Sequence, residues 1–103
     1  MASYNRIWLM GTITSDPVVR NNAGESIYSC LLSVEESYKA KSGQTMTSQM
    51  PITIEYSTFV LGKIGAQLKA NDEVMVEGLI RLVGEQGNKI HIVECSSIVL
   101  FKD

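Results

Sequence analysis

The sequence predicts an all-β chain: five strands, with one short helix between the third and the fourth. Three observations lead there. Apolar residues recur with a period of two in several short segments, the side-chain repeat of a pleated strand. Clusters of Gly, Asn, Asp, Ser and Pro, the residues of turns, separate those segments. One stretch alone, Ser57 to Ala70, switches to a helical period.

The first strand is Ile7 to Ile13, β-rich and too short for a typical helix. Period two puts Ile7, Leu9 and Ile13 on one face and Arg6, Trp8, Met10 and Thr12 on the other. Asp16-Pro17 breaks it, and Asn21-Asn22-Ala23-Gly24 is a turn cluster whose Asn and Gly tolerate positive φ. Ile27 to Val34 is the second strand, continuing through Tyr38, and Lys41-Ser42-Gly43-Gln44 is a loop tip. Thr45 to Tyr56 is the third, with Met50, Ile52 and Ile54 on one face. Pro51 has no N–H to donate, so it marks an edge or a bulge.

The helix is expected from Ser57 or Thr58, either of which can cap unpaired N–H groups. Its apolar stripe is Leu61, Ile64 and Leu68, with Phe59 packed underneath, Lys63 and Lys69 facing solvent, and Asn71 as a left-handed stop. Gly62 and Gly65 lower its propensity, so it depends on packing. Glu73 to Val83 is the fourth strand, with Val74, Val76, Ile80 and Leu82 on one face. Gly84 to Asn88 turns the chain into the fifth, Lys89 to Phe101. Three strands, a helix and two strands is the element order of a five-stranded OB-fold barrel, in which the helix plugs one open end.

Composition agrees with a small folded domain. The 103 residues allow one core, read here as a single domain over 1–103. Nine Lys+Arg against eleven Asp+Glu give a formal charge of −2, which argues against a basic nucleic-acid coat. It does not exclude nucleic-acid binding, because charge placement matters more than the sum. No apolar run approaches a membrane span, and the opening residues lack a signal-peptide core, so a cytoplasmic location is expected. Cys30 and Cys95 match no CxxC spacing and read as buried thiols. One histidine, His91, leaves no His-based metal cluster, no nucleophile–His–acid set is evident, and there is no P-loop. Neither catalysis, a metal nor a cofactor is expected.

Several segments resemble the bacterial and phage single-stranded-DNA-binding (SSB) family. They are Asn5-Arg6-Ile7, Gly11, Asp16-Pro17-Val18-Val19-Arg20, Gly24, Glu36-Ser37-Tyr38-Lys39, Gly62-Lys63, Leu68-Lys69, Val74 and Val76-Glu77-Gly78. The resemblance covers nearly the whole chain. It departs in two places: no acidic tail follows Phe101-Lys102-Asp103, and the last hairpin is short and lacks the family's tryptophan. Both departures, with Gln49-Met50-Pro51, resemble the tailless PriB-type primosomal relatives. The resemblance implies sequence-independent binding of single-stranded DNA in replication, recombination or repair by a homo-oligomer, a dimer or a tetramer. The alternatives are an adaptor that bridges replication or primosome proteins, and a protein-interaction module without DNA.

Single-strand binding needs aromatic faces for bases and cations for phosphates. Tyr38 is the leading stacking candidate, since it matches the family's aromatic and is flanked by Lys39 and Lys41. Trp8, on the Arg6 face, is a base platform or an oligomer contact. Tyr56 is the third aromatic candidate, in a register that competes with burial of Ile52 and Ile54, and Tyr28 has the parity of the core. Arg6, Lys39, Lys41, Arg81 and Lys89 are the phosphate candidates. Arg20 fits the same role or a structural one, pairing with Asp16 or another carboxylate. Glu35, Glu36 and Glu55 weaken binding if they face the groove and merely solubilise the back if they do not.

Overall fold

A computed structural model describes residues 3–101. Met1 and Ala2 of the leader reading, and Lys102 and Asp103 of the tail reading, lie outside them. The elements run β1 (Ile7–Ile13), β2 (Val18–Asn22), β3 (Glu25–Lys39), β4 (Thr45–Ser57), α1 (Thr58–Ile64), β5 (Glu73–Val83) and β6 (Ile90–Phe101). The order β1-β5-β6-β4-β3-β2, with a further β1–β3 pairing, closes five strands into a ring and leaves β2 outside it on β3. All pairs are antiparallel except β4–β6, registered only at Ile54↔Val93 and Glu55↔Glu94.

The inward residues are the ones that period two selects. Ile13, Leu32, Ile54, Val74 and Val76 are fully buried, and Ile7, Leu9, Val34 and Ile52 pack against them. Burying each aliphatic side chain is worth about 1.5–3 kcal/mol, so this face fixes the register. Cys30 and Cys95 lie in the same core, buried and unpaired. β1 is extended by Asn5, whose side-chain amide donates to the Ile80 carbonyl (2.6 Å) and accepts from the Ile80 N–H (3.0 Å). Pro51 sits where β4 pairs with β3 alone, because β6 joins only further along, so no donor is required on its open side.

Four expectations need correction. The Val18–Asn22 segment is a strand, and Asn21 and Asn22 belong to it; Ala23 (φ 53°) and Gly24 (φ 81°) alone make the turn to β3. The helix has the expected N-cap, with Ser57 Oγ accepting from the Val60 N–H, but ends at Ile64. Gly65, at φ 80°, returns its N–H to the Leu61 carbonyl and stops it a turn and a half before Asn71. Asn71 does adopt positive φ, in the turn that enters β5. Phe59 is 70% exposed, with Lys63 one turn on and 4.7 Å above its ring; Val60 takes the buried position. Ile80 and Leu82 share the parity of Val74 and Val76, yet both are exposed, because the pairing with β1 ends at Ile7↔Gly78 and leaves that side of β5 uncovered beyond it.

Candidate nucleic-acid interface

The β3–β4 hairpin outruns the closed body. Residues 35–39 and 41–49 are exposed, while the same strands lower down line the core. Alternation puts Tyr38 on the face that carries Leu32 and Val34 below, so the core face of the hairpin emerges into solvent there. Tyr38 is 57% exposed and opposite Met46, a cross-strand pair in which a thioether can brace the ring. Lys39 points to the other face, and Lys41 lies in the tip closed by Gly43 N–H to Ala40 O and Ala40 N–H to Gln44 O, both 2.9 Å. Glu36 has the Tyr38 parity and Glu35 the Lys39 parity, so the hairpin carries acid on both faces.

Trp8 belongs to a different surface. It is 60% exposed on the outer face of β1, β5 and β6, opposite Glu77, and shares that face with Met10, Met75, Val99 and Phe101. Arg6 lies beside it and is ion-paired with Glu77. The sequence reading missed Val99 and Phe101, although the alternation Ser97-Val99-Phe101 was there to be extended from the Met75 face.

Tyr56 is not available as a base platform. It is 2% exposed, on the inward parity of Ile52 and Ile54, with its ring stacked on Tyr28 at a centroid distance of 5.3 Å. Burying the two isoleucines necessarily buries Tyr56, since the three alternate together. Desolvation pushes its phenol well above the ordinary tyrosine range, and the hydroxyl is left with a long 3.5 Å contact to Gln67 Oε1.

The cations divide into two classes. Each arginine is held by a carboxylate: Arg6 by Glu77, Arg20 by Glu55, and Arg81 between Glu55 (4.0 Å) and Glu94 (3.5 Å). Arg20 is bidentate on Glu55, at 2.8 and 3.1 Å, and that bond raises the guanidinium pKa above its ordinary value. Asp16 does not share in it; its carboxylate accepts from the Ala70 N–H. Lys39, Lys41 and Lys89 have no ion pair among the described residues, and all three sit on or beside hairpin tips. No group of three His, Cys, Asp or Glu able to hold a metal occurs among the described residues. No helix there is long and apolar enough to cross a membrane.

No protein-family model matches the chain, and no curated protein sequence matches it either. Solved structures do. The Plasmodium falciparum SSB in complex with single-stranded DNA superposes with a TM-score of 0.82 at 17% identity, over 99% of this chain and 98% of that one. This is an OB-fold. A deletion mutant of the Thermus aquaticus single-stranded DNA-binding protein gives 0.81 at 21% identity, and this chain spans 51% of that longer one. The dimeric N-terminal domain of PriB from Thermoanaerobacter tencongensis gives 0.68 at 22% identity, with 96% and 98% covered. Identity this low carries the OB-fold and no individual residue, so each side chain above stands on its own geometry. In this OB-fold the exposed aromatics divide among surfaces: Tyr38 on the β3–β4 hairpin, Trp8 and Phe101 on the β1–β5–β6 face, Phe59 on α1, and Tyr4 ahead of β1.

Proposed function

We infer that the protein binds single-stranded DNA without sequence preference and without catalysing a reaction on it. The observation that carries this reading is the projecting hairpin. It offers an exposed tyrosine with two unpaired lysines, on a fold shared with an SSB solved on single-stranded DNA. Stacking of one base on Tyr38 is worth about 1–3 kcal/mol, and lysine–phosphate contacts add a salt-sensitive share. The expected result is that oligo-dT binds at low salt and that Tyr38→Ala weakens it by about 1–3 kcal/mol. Unchanged affinity in a fluorescence-anisotropy titration removes Tyr38 from the site, and no binding by the parent chain removes the reading.

The working form is a homo-oligomer built on the Trp8 face. Across β1, β5 and β6 runs the outward-facing apolar row Met10–Met75–Val99, with Trp8 and Phe101 at its corners and Glu73 and Glu77 between them, a pattern that suits an interface between copies. Copies joined by symmetry would raise avidity on a continuous strand. The second reading, a PriB-type adaptor for replication or primosome proteins, is favoured by the match to the dimeric PriB domain over nearly the whole of both chains. Weak binding of DNA by a dimer would select it.

A further inference from the structure

The charge cluster on the outer face of β2, β4, β5 and β6 has an unusual layout. Glu55 and Glu94 stand directly opposite each other across the parallel β4–β6 seam, where two like charges repel. Arg81 bridges them, and Arg20 reaches over from the edge strand to hold Glu55 from the other side. The cluster sums to zero: two guanidiniums, two carboxylates. Burial is lopsided. The Glu55 side chain is 11% exposed, whereas those of Arg20, Arg81 and Glu94 are each 48% exposed. The Glu55 carboxylate is fixed in the wall, and the two guanidiniums, with Glu94, are the accessible members.

Arg20 also borders two adjacent depressions. One contains Glu55, Arg81 and Glu94. The other is lined by Val18, Ser29, Leu31 and Thr53, with Arg20 as its one charged residue. Val18 and Leu31 are exposed apolar side chains able to take a base or sugar, next to a guanidinium able to take a phosphate. Phosphate and carboxylate offer a guanidinium the same paired-oxygen geometry.

We propose that Glu55 is a built-in competitor for phosphate: it occupies Arg20, and in part Arg81, and so keeps the β2–β4 face from gripping a nucleic-acid strand. This rests on the single-stranded-DNA reading and adds a residue that sets the affinity. A strand phosphate that takes Arg20 leaves a carboxylate in the wall without its partner, and that cost opposes binding. Exchange of one anion for another also gains no net cation for the strand, so the salt dependence of the parent protein comes from the lysines.

Glu55→Gln keeps the shape and removes the charge. Oligo-dT should bind about threefold to tenfold more tightly at low salt, with the plot of log K against log salt steeper by about 0.7 for each released cation. In Arg20→Gln/Glu55→Gln the gain should vanish, because Arg20 is the group released. A gain that persists in the double variant assigns the effect to general repulsion and overturns the proposal, as does unchanged or weaker binding by folded Glu55→Gln. If Glu55→Gln does not fold, Arg20→Gln decides. An arginine already occupied by Glu55 adds no released cation, so the slope of log K against log salt should equal the parent's. A slope shallower by about 0.7 shows that Arg20 already grips the strand and overturns the proposal. Failure of the parent chain to bind oligo-dT at all is the separate result that removes the DNA reading itself.

Discussion

Gly78 has no room for a side chain. A Cβ there would lie 2.0 Å from the Glu94 carbonyl oxygen and 2.9 Å from the Cys95 Cα. The β5–β6 register slips at this point: Glu77 pairs with Ser97 and Gly78 with Cys95, so Ser96 is the extra residue of a bulge. Gly78→Ala must push two backbones apart in the middle of the sheet. A loss of about 3 kcal/mol is expected in urea unfolding, the upper end of overpacking costs. The sequence reading carried Gly78 only as part of a family segment, because a bulge on one strand leaves no mark in the alternation of its partner. The arginines were opaque for a similar reason. Arg6 and Arg81 have the residue type of phosphate contacts, but whether a carboxylate reaches them depends on pairings more than ten residues away. Tyr56 could be excluded earlier, because the parity that buries Ile52 and Ile54 is visible in the chain itself.

Element boundaries follow local chemistry, and this is where the sequence was most and least readable. All five of the predicted strands begin and end within two residues of observed ones, since turn clusters punctuate them. The edge strand β2 escaped notice. All five of its residues are exposed, so no period-two burial signal exists, and its pairing with β3 supplies what its composition does not. Its turn is suboptimal. Ala23 sits at φ 53°, a conformation that costs a residue with a Cβ about 1–2 kcal/mol. Asn accepts that conformation, and hairpins of this kind favour Asn-Gly. Ala23→Asn is therefore expected to stabilise the protein by about 1 kcal/mol, read as a higher midpoint of chemical unfolding. The helix stop works in reverse. Gly65→Ala puts a Cβ at φ 80° with open space around it, so backbone strain alone should cost about 1 kcal/mol.

Over the molecule as a whole, the buried ionisable groups set an alkaline limit. Burial pushes the Cys30 thiol from 9.0 to about 11 and the Cys95 thiol to about 12. Between pH 9 and 11 the unfolded chain releases these protons while the folded one keeps them. The folded state then holds more protons, so stability falls as pH rises. Thermal midpoints are expected to be level from pH 7 to 8.5 and to drop above pH 9, less steeply in Cys95→Ala. The same burial keeps both thiols protonated and unreactive at neutral pH, so alkylation should follow global unfolding. The Trp8 face makes a prediction at the same scale. Trp8→Glu should shift the protein toward the monomer in sedimentation velocity while leaving its strand content intact, because the side chain is already 60% exposed in one copy.

The reach of β1 has a consequence for synthesis. Its partner on one side is β5, and Asn5 is tied to Ile80, 75 residues further along the chain. On the other side β3 takes only Thr12 and Ile13. At roughly 5–20 residues per second, a ribosome needs on the order of 4–15 s to deliver β5 after β1 has been made. Throughout that interval Ile7-Trp8-Leu9-Met10 has neither its main strand partner nor a core to enter. The emerging chain therefore carries this apolar segment uncovered until β5 arrives, so β1 is a stretch that a chaperone meeting the chain would have to cover.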